Sequence, residues 1–194
     1  MKTLARCLAA VVAAVLSGAC AHKGPPPTPG QVIPSLAGAT HVYTLTNLHP
    51  DDDRMILYTG NFQQPGLIPI CSEIVFLRSS DDWMTFKVLA TGKEYEYASH
   101  QVSAEPFVQN LERYFGAACP KEKLDALTPR EREGVRMGVA MEGMRKEAVV
   151  LAIGYPPRRD TPSLDNTIWR YWSSRLSFFL VEFDASGKVA KVTY

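Results

Sequence analysis

Nucleophilic catalysis needs a thiol, hydroxyl or amine with a base held beside it. The chain offers few such arrangements. Its histidines are His22, His41, His49 and His100, and none stands in a G-x-S-x-G, H-E-x-x-H or phosphate-loop pattern. Cys71 with His100 is the one thiol–imidazole pair to weigh, and nothing in the residues around either one argues for activation. The run His49-Pro50-Asp51-Asp52-Asp53 concentrates carboxylates. Calcium takes roughly six to eight oxygens from spaced positions, whereas consecutive side chains point apart, so the run reads as a solvated turn. No catalytic residue, metal site or cofactor is assigned, and the chain is read as non-enzymatic.

Binding chemistry is better represented. The segment Tyr155-Pro156-Pro157-Arg158-Arg159-Asp160-Thr161-Pro162-Ser163-Leu164-Asp165 is long and stiffened by proline, so less entropy is lost when it docks. Arginine forks reach carboxylate or phosphate groups, and aromatic and arginine side chains are the usual interface anchors. Tyr155, Pro156, Pro157, Arg158 and Arg159, together with Trp172 and Arg175, are the candidate contact surface. The alternative is a loop that crosses a sheet edge with its aromatics in the core. Core is the expectation for Trp169, Tyr171, Phe179 and Phe183, while Tyr155 and Trp172 fit either reading. Cys71 and Cys119 are either a disulfide, if the compartment is oxidising, or two separately buried thiols.

The N-terminus speaks to that compartment. Met1 to Arg6 is short and basic, Cys7 to Leu16 is apolar, and Ser17-Gly18-Ala19-Cys20 follows. This is the order of a secretory signal, with an apolar run about half the roughly 20 residues a spanning helix needs. Residues 1–19 are read as a signal peptide. Leu16 to Cys20 resembles a bacterial lipobox, although the leucine lies one residue earlier than usual. The resemblance implies lipid attachment at Cys20, the alternative being an ordinary signal cut nearby. Ala21, rather than aspartate, implies the outer membrane. Residues 20–40, rich in proline and glycine, read as a tether of extended polyproline type that could reach roughly 60 Å.

Behind these residues must stand the elements that position them. Residues 41–118 read as a small antiparallel β-rich lobe of short strands, ending in a helix from about Ala104 to Phe115 with Val108, Leu111 and Phe115 on its buried face. Residues 117–127 read as a link. Thr128-Pro129-Arg130-Glu131 is a capping box with proline in the first turn. Gly134 and Gly138 share a face of the helix it starts and could admit a close backbone. A second helix covers about Arg145 to Ile153, ended by Gly154 and Pro156-Pro157. The period then changes to two: strands at 167–173, 176–183 and 189–194, with a turn at Asp184 to Gly187. The fold class is α+β, residues 128–194 forming two helices against a three-stranded antiparallel sheet.

Gly143 to Val149, Leu151 to Pro157, Trp169-Arg170-Tyr171-Trp172 and Phe183 to Val189 together resemble, in order and spacing, the BamE/SmpA/OmlA lipoprotein domain. The match covers residues 128–194, about a third of the chain. It implies an ααβββ fold, attachment to the periplasmic side of the outer membrane, and a non-enzymatic role in outer-membrane assembly or envelope integrity, with envelope proteins as partners. Similar folds also occur in β-lactamase inhibitor proteins. The sequence departs from the family in two places. Arg145 stands where a serine or threonine often caps the second helix, which should forfeit about 1 kcal/mol. The lobe at 41–116 has no counterpart in BamE itself and points to a larger, two-part subgroup.

The net charge is +1, and −1 once residues 1–19, with Lys2 and Arg6, are set aside. That gives no basic face for nucleic acid. The function expected is that of a lipid-anchored, periplasm-facing binding protein. Two alternatives remain: a small periplasmic ligand-binding protein or hydrolase using a cleft between the lobes, and an inhibitor of a periplasmic enzyme.

Overall fold

The computed structural model describes residues 24–194. The expected signal peptide, residues 1–19, and Cys20 therefore lie outside the described residues. The protein is a mixed α+β structure with a six-stranded sheet, a three-stranded antiparallel sheet near the C-terminus, and helices.

The expected tether gives way early to folded chain. Pro29–Val32 form a one-turn helix, α1, and Pro34–Leu36 a 3-10 turn. Val32, Ile33 and Leu36 are buried in the core of the first sheet, so these apolar residues gain more from burial than the prolines gain from extension. The six strands are β1 (Val42–Thr44), β2 (Ile56–Tyr58), β3 (Glu73–Ser79), β4 (Trp83–Val88), β5 (Glu94–Ala98) and β6 (Phe115–Gly116). Their order is β2-β5-β4-β3-β1-β6. The unit is not purely antiparallel, because β2 runs parallel to β5. Residues 67–71 do not form a strand; Ile68 makes a lone bridge to Leu48.

Helix α2 spans Phe107–Tyr114. Its buried face is Phe107, Asn110, Leu111 and Tyr114, with Val108 turned outward, so the expected face is rotated. The polar member of that face, Asn110, accepts from the Tyr97 hydroxyl at 2.7 Å, which is what lets an amide sit in this core. The link at 117–127 is also folded. It contains α3 (Lys121–Asp125), and Leu124 and Leu127 pack into the second core. Cys119 in this link is disulfide-bonded to Cys71, with Cα atoms 4.8 Å apart, which decides between the two readings of the cysteines.

Helix α4 is Pro129–Met137 and α5 is Lys146–Ile153. The predicted capping box is formed: Thr128 Oγ1 accepts from the Glu131 backbone N–H, and the Glu131 carboxylate accepts from the Thr128 N–H. The glycines part company. Gly138 ends α4 at φ 68°, a left-handed position that favours glycine. Gly134 leaves room for the Met144 side chain, whose sulfur would collide with a Cβ there. The second sheet is β7 (Ile168–Trp172), β8 (Phe178–Phe183) and β9 (Val189–Thr193), in that order. Trp169, Tyr171, Phe179 and Phe183 are buried with Met144, Ala148, Val149 and Ala152 in one core, as expected of large aromatics.

Candidate functional site

The last turn of a helix leaves carbonyls with no partner inside the helix. In α5 these carbonyls point at the N-terminal lobe, which supplies the donors. Asn47 donates its backbone N–H to Leu151 O (2.9 Å) and its amide to Ala152 O (3.0 Å) and Val135 O (2.6 Å). His49 Nε2 also meets Ala152 O at 3.2 Å. Asn61 donates to Ile153 O and Tyr155 O, at 2.8 and 2.7 Å, and Gln63 Nε2 to Ile153 O at 2.9 Å. The lobes are thus joined by buried hydrogen bonds, and the segment carrying Tyr155 is held at its base. Gly154 has φ 73°, and a Cβ on it would press on Asn61 and Tyr114.

That anchoring sorts the predicted contact residues. Pro156 and Pro157 are buried. Tyr155 is half-buried and packs against both cores. It meets Tyr114 edge to face, and the Arg113 guanidinium lies 3.9 Å from its ring centroid. These residues fasten the loop rather than present a surface. Arg158, Arg159 and Arg175 are exposed, and Trp172 is half-buried. Trp172 Nε1–H donates to Asp160 at 2.8 Å, tying the loop to β7. Gln63 N–H donates to Trp172 O at 2.7 Å and Gln64 Nε2 to Ser173 O, tying β7 to the first lobe. Arg158 stands apart from the others, 3.7 Å from Glu105, a buried carboxylate that Arg113 holds with two hydrogen bonds.

Three cavities surround this junction. One of about 610 Å3 lies between His49, Arg54, Tyr58, Phe62 and His100 and the β7–β8 hairpin tip at Ser174, Arg175 and Leu176. A second, about 410 Å3, brings Arg159, Trp172 and Arg175 together with Phe62 and His100. A third, about 590 Å3, opens between the lobes beside Leu45, Arg113, Arg145, Tyr155 and Trp169. The structure therefore gathers Arg159, Trp172 and Arg175 into one site and leaves Tyr155 and Arg158 facing other grooves. Phe62 is not among the expected site residues, and His100 is weighed there only as a partner for Cys71. Their only signal in the sequence was an aromatic in a polar segment and a histidine outside any motif.

The titratable groups follow from burial and partners. Burial lowers the His49 pKa, its carbonyl contact offsetting part of this. Burial first, and then the nearby Arg175 charge, lowers that of His100. Arg145 stands at the start of α5 and its side chain does not cap. Its backbone N–H (3.1 Å) and guanidinium (2.7 and 2.9 Å) instead bond Glu131, which serves both helix starts. The Arg145 bond is the main reason the Glu131 pKa falls to about 2. Cys71 is held in the disulfide and carries no free thiol for His100 to activate. Asp51 and Asp52 are engaged locally, Asp51 with the Asp53 and Arg54 N–H groups and Asp52 with Lys93 and Tyr95. Among the described residues no cluster of three His, Cys, Asp or Glu side chains could hold a metal, and no helix is long and apolar enough to cross a membrane.

What the fold and site define is an α+β scaffold of two hydrogen-bonded cores presenting an arginine- and aromatic-lined groove where loop, hairpin and first sheet meet. No family model, curated protein or solved structure matches the chain.

Proposed function

We propose that this is a lipid-anchored, periplasm-facing binding protein of a bacterial envelope that docks protein partners, among them components of outer-membrane assembly, through the groove bounded by the 155–165 loop and the β7–β8 hairpin. One observation carries the reading. Arg159, Trp172 and Arg175 converge on a single groove, on backbone fixed by Trp172–Asp160 and by Gln63 and Gln64. A surface held in this way loses little entropy on binding. The shared core of α4, α5 and the β7-β8-β9 sheet is what supports a BamE-like arrangement of residues 128–194. The disulfide suits an oxidising periplasm.

The test has two arms. Labelled palmitate should appear on the protein and vanish in Cys20→Ala. Crosslinking in intact envelopes should recover specific proteins with the wild type and lose them with Trp172→Ala. A freely soluble species that recovers no partner would refute the proposal. A second reading, ligand binding between the lobes, is favoured by the third cavity, whose walls come from both lobes and include Trp169. A small molecule bound there would change tryptophan fluorescence in a variant lacking Trp172, and a partner at the hairpin groove would not.

A further inference from the structure

Two adjoining grooves share Phe62, His100 and Arg175 in their walls, and together they make the depression that an extended ligand would meet. Its charge is unbalanced. Arg159 and Arg175 take part in no ion pair among the described residues. The two carboxylates that line it are already committed. Asp51 accepts backbone N–H bonds and lies 3.6 Å from Arg54, while Asp160 accepts from Trp172 and lies 3.7 Å from Arg170. Two cations on one wall without counter-charge are complementary to an acidic ligand.

His100 adds a directional donor. The Val102 N–H donates to His100 Nδ1 at 3.3 Å, so the neutral ring carries its proton on Nε2. That N–H has no partner among the described residues, on a ring that lines both grooves. The remaining wall is apolar. Tyr58, Phe62 and His100 pack edge to face with centroids 5.9, 5.7 and 5.1 Å apart, and Leu176 at the hairpin tip is 93% exposed. A bare anion would leave that wall and Leu176 uncovered, whereas an extended chain reaches both.

We propose that this depression receives an acidic segment of a partner polypeptide. Its carboxylates pair with Arg159 and Arg175 and accept from His100 Nε2–H, and an apolar neighbour lies against Phe62 and Leu176. The inference rests on the docking reading above and names the chemistry of the partner. A carboxylate on Arg175 also removes the repulsion that Arg175 exerts on a protonated His100, so the ring binds its proton more readily in the complex.

The test uses the full chain and a fluorescein-labelled peptide alternating glutamate with phenylalanine, beside the same peptide with glutamine in place of glutamate. The acidic peptide should bind and weaken as salt rises, and the glutamine peptide should not bind. The Arg159→Gln, Arg175→Gln double variant should lose about tenfold in affinity per arginine, while the double lysine variant should retain most of it. The His100 ring signals, followed by NMR, should titrate at higher pH with the acidic peptide present. Equal affinity for the two peptides, or an unchanged affinity in the double glutamine variant, would overturn the proposal. So would binding of 3-phenylpropionate without binding of the peptide, which marks a small-acid site. The docking reading fails separately. If acid recognition alone is wrong, crosslinked envelope partners persist in the double glutamine variant and still disappear in Trp172→Ala.

Discussion

Replacing Asn47 by alanine tests whether the lobes stand or fall together. Asn47 is 1% exposed and its side chain makes three hydrogen bonds: to Val135 O, to Ala152 O, and from the Ile70 N–H at 2.8 Å. At about 1 kcal/mol net for each bond, the loss is about 3 kcal/mol. Ala152 O keeps His49 and Val135 O keeps the Gly138 N–H at 3.2 Å, but the half-buried Ile70 N–H loses its partner, which raises the cost to about 4 kcal/mol. With a urea slope of about 2 kcal/mol per molar, the unfolding midpoint should fall by about 1.5 to 2 M. The joint reading also fixes how the transition looks. Trp169 and Trp172 sit in the second sheet and Trp83 on β4, so in a Trp83→Phe background fluorescence follows the C-terminal lobe, while hydrogen exchange of β4 amides follows the first. Both should lose the same free energy. A midpoint shift under about 0.3 M, or β4 amides that keep wild-type protection while the fluorescence transition moves, would show that the inter-lobe amides do not couple the halves.

The buried acid makes a second case. With its pKa lowered to about 2 from an ordinary 4.5, Glu131 contributes about 3 kcal/mol at neutral pH, a contribution fully present above pH 4.5 and lost as pH falls toward 2. Glu131→Gln should therefore be destabilised by about that much at pH 7 and converge on the wild type near pH 2, as read by urea midpoints. His49 has a lowered pKa, so its neutral form stabilises the fold above pH 6.5 and this is lost as pH falls below that value. His49→Gln should flatten the pH dependence of the thermal midpoint between pH 6.5 and 5, and an unchanged slope would count against the reading. The disulfide closes a separation of 48 residues, for which loop entropy alone predicts about 4 kcal/mol. Reduction by dithiothreitol should lower the urea midpoint accordingly, and the Cys71→Ser, Cys119→Ser variant should match the reduced wild type.

Periodicity carried much of the C-terminal half because its pattern and its burial agree. Trp169 and Tyr171 alternate with exposed or half-buried neighbours along β7, as a strand with one face on a core must, and the Thr128–Glu131 capping box could be read from four letters. The errors fell where one strong local signal was outweighed by a distant contact. Prolines at 25–34 speak for an extended tether, yet Ile33 is fully buried because a sheet formed by later residues offers it a face. The helix ending at Tyr114 turned by one position because Tyr97, outside any sequence window around it, supplies a partner for Asn110.

The groove was half legible for the same reason. Arg159, Trp172 and Arg175 stand out by type, but what makes them a site is the placement of Phe62 and His100 against the hairpin. That placement depends on Gln63 and Gln64 bonding the backbone of residues 172 and 173, and on Asn61 and Gln63 capping α5. Amides in an apparently polar segment read as loop composition, and only the fold shows them seated on carbonyls 90 and 92 residues away. The consequence for function is that α5, the groove and the first lobe share one set of hydrogen bonds. A substitution at Asn61, which is distant in sequence from Arg159 and Arg175, should disturb docking as well as stability. A surface built by the hairpin alone would be indifferent to it.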